Sequence, residues 1–166
     1  MKPTYAVRME PIQLDDVDRG ILHALQNDAR KSTAAGMGEK VGVSASTVRN
    51  RIERLEEVGV IRGYNPDIDY EIANFQLHVL IVCRAPPDER SALADEVMGI
   101  DGVVTIRELL TGTENIHIEA VAVDSGTVDS ISEQVHDLGL DIVSTNIVKT
   151  ERVQPFDHFG KDVTEG

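Results

Sequence analysis

Val41-Gly-Val-Ser-Ala-Ser-Thr-Val-Arg-Asn-Arg-Ile-Glu-Arg-Leu-Glu-Glu-Val-Gly-Val-Ile-Arg-Gly-Tyr64 decides how this 166-residue chain folds. Gly42 makes a turn, Ser44 follows as a helix N-cap and Gly59 supplies a stop, so the pattern predicts a helix from about Ala45 to Val58. Val48, Ile52 and Leu55 recur at i, i+4 and i+7 and give it one buried stripe. Ser46, Thr47, Arg49, Asn50 and Arg51 occupy its first two turns, with side chains suited to base edges and phosphates. A capped helix presented behind a tight turn can pack on one face and read the major groove of DNA with the other. Ser44 and Arg54 complete the candidate set, Arg54 as a phosphate contact or as an ion-pair partner of Glu53, Glu56 or Glu57.

Upstream, Leu14-Asp-Asp-Val-Asp-Arg-Gly-Ile-Leu-His-Ala-Leu25 opens a first helix. Asp15 is its N-cap, Asp16 and Asp18 suit the positive end of its dipole, and Val17, Ile21, Leu22 and Leu25 form its core face. A second helix falls within Thr33 to Val41 and packs through Met37 and Val41. Gly36 and Gly38 each cost about 1 kcal/mol there relative to alanine, which predicts fraying or an irregular turn. Gly59 to Tyr64 reads as a minimal wing, broken by Asn65-Pro66-Asp67. Residues 14–64 therefore form a winged helix-turn-helix domain, after an arm at 1–13 that contains an alternative start at Met9. Residues 65–75 are a linker.

From Phe75 the period becomes strand-like. Gln76–Arg84 is a strand apolar on both faces, and Pro86 to Met98 is a helix with Leu93 and Val97 inward. Val103–Leu110 and Asn115–Val123 are strands joined by a hairpin at Thr111–Glu114. A helix to Leu138 follows, with Val128, Ile131 and Val135 inward, then a strand from Ile142 to Val153. The order βαββαβ over 76–153 is that of a ferredoxin-like sheet with both helices on one face, giving an α+β chain with a tail at 154–166. The bare face of that sheet calls for an identical subunit to cover it.

The net charge is −13, which would repel nucleic acid, but its distribution is uneven. Residues 1–75 hold 10 Lys+Arg against 12 Asp+Glu, and residues 76–166 hold 6 against 17. Within 30–54, Arg30, Lys31, Lys40, Arg49, Arg51 and Arg54 face only Glu39 and Glu53, a local net of +4. Arg outnumbers Lys by 11 to 5, and an acidic, lysine-poor chain of this kind resembles the proteins of salt-loving organisms. No apolar run approaches the roughly 20 residues needed to span a bilayer, and the N-terminus lacks a signal-peptide core, so a cytoplasmic protein is expected. Cys83 is the only cysteine, which excludes an intrachain disulfide and a thiolate zinc cluster. The five histidines have no metal-ligand spacing, and no phosphate loop, nucleophile elbow or paired-carboxylate motif occurs, so neither metal, cofactor nor catalytic residue is assigned.

Two runs carry a family likeness: Leu14-Asp15-x-x-Asp18-Arg19-x-Ile21-Leu22, and Val41-Gly42-Val43-Ser44-x-Ser46-Thr47-Val48-x-x-Arg51-Ile52-x-x-Leu55-Glu56-x-x-Gly59-Val60-Ile61-x-Gly63-Tyr64. With Gly102-Val103, Thr111-Gly112 and Asp124 in the second half, the chain resembles the Lrp/AsnC (feast/famine) transcriptional regulators over residues 14–152, and its sheet domain resembles their RAM effector domain. The resemblance implies a homodimer, often assembled to octamers, that binds double-stranded promoter DNA and answers to an amino acid or related metabolite. It places the effector around Thr111, Gly112, Thr113, Glu114 and Asn115, with His117 on the strand beyond. Asn115 stands where the family usually has Asp. Two rival readings share the architecture: an enzyme resembling the siroheme decarboxylases, and a metabolite-binding modulator of partner regulators that does not itself bind DNA.

Overall fold

The computed structural model describes residues 11–159, and these fall into two units. The arm up to residue 10, with the alternative start at Met9, and the end of the tail from residue 160 lie outside the described residues. One unit comprises the chain up to Pro66 together with the segment from Arg152 onward; the other spans Asp67–Glu151. Counted this way, the second unit holds 4 Lys+Arg against 17 Asp+Glu, a net of −13, and the first holds 12 against 12, a net of zero. The whole net charge therefore sits on the second unit.

The first unit is built on three helices, α1 (Asp16–Asp28), α2 (Ala34–Val41) and α3 (Ala45–Glu57). Asp15 caps α1 in a reciprocal capping box with Asp18, Thr33 caps α2, and Ser44 caps α3 by accepting from the Thr47 N–H. Ile21, Ala24, Met37 and Val48 make the core, with Val17, Leu25, Ala34, Val43 and Ile52 packed against it. The expected irregularity of α2 does not occur: it is a regular helix. Gly38 is buried where the α2–α3 turn doubles back, and its bare Cα lets the Val43 carbonyl approach. Gly42 closes α2 in the left-handed conformation, φ +74°.

The wing expected at Gly59–Tyr64 is likewise not formed as strands. The segment is a loop tied to α3: the Ile61 N–H donates to the Leu55 carbonyl at 3.0 Å and the Tyr64 hydroxyl to the Glu56 carboxylate at 2.8 Å. Burial and that carboxylate push the Tyr64 phenol up to about 12.

The last described segment does not end as a free tail. A 3-10 turn at Asp157–Phe159 packs on α1, the Phe156 N–H donates to Gln26 Oε1 at 3.3 Å, and the Phe156 ring meets His158 and Phe159 edge-on. Aromatic contacts of this geometry contribute about 0.5–1.5 kcal/mol beyond area burial. Phe156→Ala with Phe159→Ala should lower the stability of the helical unit by about 1–2 kcal/mol. Faster amide exchange along α1 would register it, and unchanged exchange would show that the segment contributes nothing.

The second unit is a four-stranded antiparallel sheet ordered β2-β3-β1-β4, from β1 (Leu77–Arg84), β2 (Val103–Glu108), β3 (Ile116–Ala122) and β4 (Asp141–Ile147). Helices α4 (Arg90–Val97) and α5 (Ser125–Asp137) cover one face. Val79, Ile81 and Cys83 from β1 and Ile116, Ile118 and Ala120 from β3 meet Leu93, Ala94 and Val97 of α4 and Ile131 and Val135 of α5. The prolines at 86 and 87 precede α4 in a turn rather than lying in its first turn. By alternation, His78, Leu80 and Val82 of β1, Arg107 of β2 and His117, Glu119 and Val121 of β3 lie on the opposite, open face.

Candidate nucleic-acid interface

At about 100° per residue, Val48, Ile52 and Leu55 set the inward face of α3, and Ser46, Asn50 and Glu53 lie on its outward face with Arg49 on one flank. Arg49 and Asn50 are exposed and make no hydrogen bond or ion pair among the described residues. Ser44, Ser46 and Thr47 form a cluster of hydroxyls at the helix start, with Ser44 Oγ 2.9 Å from Ser46 Oγ and 2.8 Å from Thr47 Oγ1. Ser44 is thereby committed as the cap, while Ser46 is exposed and Thr47 half-buried. These groups end at the N-terminal half of the helix. Beyond it the outward face turns acidic with Glu53 and Glu57, so the first two turns are the part suited to phosphates.

Arg51 and Arg54 are placed differently from the sequence expectation. Arg51 Nη1 lies 2.8 Å from Asp15 Oδ2 and 3.1 Å from Asp18 Oδ1, and Arg54 Nη1 lies 3.6 Å from Asp18 Oδ2. Both guanidinium groups turn toward α1, and Arg54 pairs with Asp18 rather than with a glutamate of its own helix. Asp18 is 1% exposed. Reading it only as a helix-dipole residue missed this; its place at the third position after the cap, with arginines on a helix that packs against it, was the available signal.

The Asp18 backbone N–H, and then the Arg51 guanidinium, hold the Asp15 carboxyl below its ordinary 3.8, and Asp15 in turn raises Arg51. Asp28 is lowered chiefly by the Lys31 backbone N–H. Carboxyls lowered in the folded state contribute stability that is complete above their unfolded value and is lost as pH falls through the folded one. The helical unit should therefore begin to lose stability below about pH 4, and Asp15→Asn should flatten that acid limb in thermal melts from pH 5 downward. An unchanged limb would remove Asp15 from the cause.

The effector candidates do not converge. Thr111, Gly112, Thr113 and Glu114 are exposed in the β2–β3 hairpin, whereas Asn115 is 3% exposed. Asn115 Oδ1 accepts from the Ala85 N–H and its Nδ2 donates to the Ala85 carbonyl, both at 2.9 Å. These two bonds pin the end of β1 to the start of β3. His117 is half-buried on the open sheet face, opposite Arg107 and Val82. On that face Arg107 pairs with Glu119, and His78 Nε2 stands 3.5 Å from Glu119. Among the described residues no group of three or more His, Cys, Asp or Glu is arranged to hold a metal, and no helix is long and apolar enough to cross a membrane.

The AsnC-type helix-turn-helix domain matches residues 14–56. The HTH-type transcriptional regulator AldR of Mycobacterium tuberculosis is 30% identical over 152 residues, covering 90% of this chain and 82% of that protein. AldR of Mycolicibacterium smegmatis is 47% identical over 68 residues, 41% of this chain and 39% of that protein. In fold, the chain matches a transcriptional regulator from Neisseria meningitidis crystallised as a complex with L-Met, with a TM-score of 0.67 over 86% of this chain and 94% of that one at 23% identity.

Proposed function

The chain belongs to the Lrp/AsnC family of DNA-binding transcriptional regulators, and from that premise we propose that it reads promoter DNA as a homodimer, or as an octamer built of four such dimers. One α3 enters the major groove of each half-site, with half-sites about 34–36 Å apart or a multiple of that. The observation that carries this reading is the pair Arg49 and Asn50, exposed and uncommitted beside Ser46 and Thr47 on a capped helix. Two bidentate base contacts are worth about 1–3 kcal/mol each. Arg49→Ala with Asn50→Ala should thus weaken binding to the chain's own promoter at least thirtyfold in a footprinting titration, and full binding by that variant would refute the assignment.

The partner surface is the open sheet face, where Leu80, Val82 and Val121 form an apolar strip beside the Arg107–Glu119 pair. Sedimentation of Leu80→Asp, at the partly buried position of that strip, as a folded monomer is expected; an unchanged oligomer would move the interface elsewhere. For the effector we favour an amino acid held at the exposed Thr111–Glu114 hairpin, with Asn115 supporting the loop through the Ala85 backbone and His117 apart on the open sheet face. The L-Met complex of the Neisseria regulator supports that class of ligand. A thermal-shift screen of the twenty amino acids tests it, and no shift with any of them would remove the effector. The charge of −13 and the excess of Arg over Lys support a cytoplasmic protein of a salt-loving archaeon, whose promoter binding persists at molar potassium chloride.

A further inference from the structure

By helical spacing Arg51 flanks the buried stripe of α3 rather than its outward face, and in space its guanidinium reaches α1. Asp18 draws it there. We infer that Asp18, with Asp15, is a positioning residue for DNA reading: it locks α3 to α1 through Arg51 and Arg54, and so keeps two cations of the reading helix off the phosphate backbone. The inference rests on the DNA-reading role of α3 proposed above.

Each oxygen of the buried Asp18 carboxylate has a partner. Oδ1 faces Arg51 Nη1 at 3.1 Å; Oδ2 accepts the Asp15 N–H at 3.2 Å and faces Arg54 Nη1 at 3.6 Å. Asp15 adds a second carboxylate, 2.8 Å from the same Arg51 Nη1. A carboxylate this deeply desolvated is tolerable only if paired, so releasing either arginine to a phosphate would strand a buried negative charge. A guanidinium held between two carboxylates of another helix is also a directional tie. Arg51 stands about 60° round α3 from the Val48 stripe, on the side toward α1, so the tie resists rotation of α3 about its own axis. Such rotation would carry Ser46, Arg49 and Asn50 out of register with base edges. The α1–α3 contact therefore sets which side chains read, and restrains non-specific attraction.

The salt dependence of binding separates this from a direct DNA role. Each phosphate contact contributes about −0.9 to the slope of log affinity against log salt. In the full-length protein, titrated with promoter and with unrelated DNA across a potassium chloride series, Arg51→Gln should leave the slope unchanged. It should weaken promoter binding about tenfold, the scale of one misread base pair, with non-specific binding unaltered. Asp18→Asn keeps an acceptor for the Asp15 N–H while removing the charge; freeing one or both arginines should steepen the slope by about 0.9–1.8 and narrow the gap between promoter and unrelated DNA.

A slope flattened by about 0.9 in Arg51→Gln would overturn the inference, because Arg51 would already be on a phosphate. An unaltered promoter preference in that variant would overturn it too. If Asp18→Asn fails to fold, Arg51→Gln decides alone. If the unmodified protein shows no promoter preference, the DNA-reading assignment fails instead, and the tie is judged by a double-mutant cycle of Asp15→Asn and Arg51→Gln in thermal unfolding, where additive effects would sink it.

Discussion

Gly38→Ala is expected to destabilise the helical unit by about 2 kcal/mol, and Gly38→Val to unfold it, while Gly36→Ala in the same helix leaves it as stable or more so. A Cβ at Gly38 would stand 2.4 Å from the Val43 carbonyl oxygen, a backbone atom that cannot yield without opening the α2–α3 turn. That carbonyl cannot simply move aside, because the Val43 N–H donates to the Gly38 carbonyl at 3.0 Å across the same turn. Alanine's helix propensity returns about 1 kcal/mol, less than the overlap costs. A unit of this size has only some 3–9 kcal/mol in total, so valine exhausts it. At Gly36 the nearest atom to a Cβ is the capping Thr33 Oγ1 at 3.1 Å, a side-chain atom that need give only slightly while keeping its bond to the Gly36 N–H, and propensity wins. Chemical denaturation of the two alanine variants tests this; equal effects at the two glycines would refute it.

Asn115→Leu is expected to destabilise the sheet unit by about 2–4 kcal/mol, since it strands the buried Ala85 N–H and carbonyl together. Asn115→Asp separates the two halves of that pair. It keeps the acceptor for the Ala85 N–H but sets an ionised oxygen against the Ala85 carbonyl, and it should cost less than Leu near neutrality, about 1–3 kcal/mol. Acidification should then recover stability in Asn115→Asp alone. A carboxyl in this dry, carbonyl-facing position titrates above its unfolded value, so its contribution is complete at low pH and lost as pH rises through the folded value. Denaturant melts at pH 4.5 and 7.5 read this, and a pH-independent Asn115→Asp variant would refute the two-bond geometry.

The start of α3 at Ala45, its turn at Gly59 and the βαββαβ order are all where local signals place them, because caps, stops and hydrophobic period act within one or two turns of chain. The structural role of Asn115 was not legible for the opposite reason: its partner, Ala85, is 30 residues away, and nothing near Asn115 announces that pairing. Gly38 carries the same lesson. Local propensity gives only its cost, and the benefit appears when Val43 folds back on it. The tail at 154–166 carries no local signal of packing, and yet Phe156 and the turn after it pack on α1, about 130 residues away.

The sequence by itself determined that this chain carries a helix able to read DNA, in a half with a net charge of −2, followed by an acidic sheet half with a net of −11; only the fold, by ending the helical unit at Pro66 and adding the segment from Arg152 to it, puts the whole −13 on the sheet unit. Periodicity, capping and the charge of a stretch are local or additive along a chain, which is why they are legible in it. Only the tertiary structure decided which side chains of that helix remain available. Arg49 and Arg51 are chemically alike and two positions apart; about 200° of helical turn leaves Arg49 in solvent and delivers Arg51 to the carboxylates of Asp15 and Asp18, more than 30 residues away.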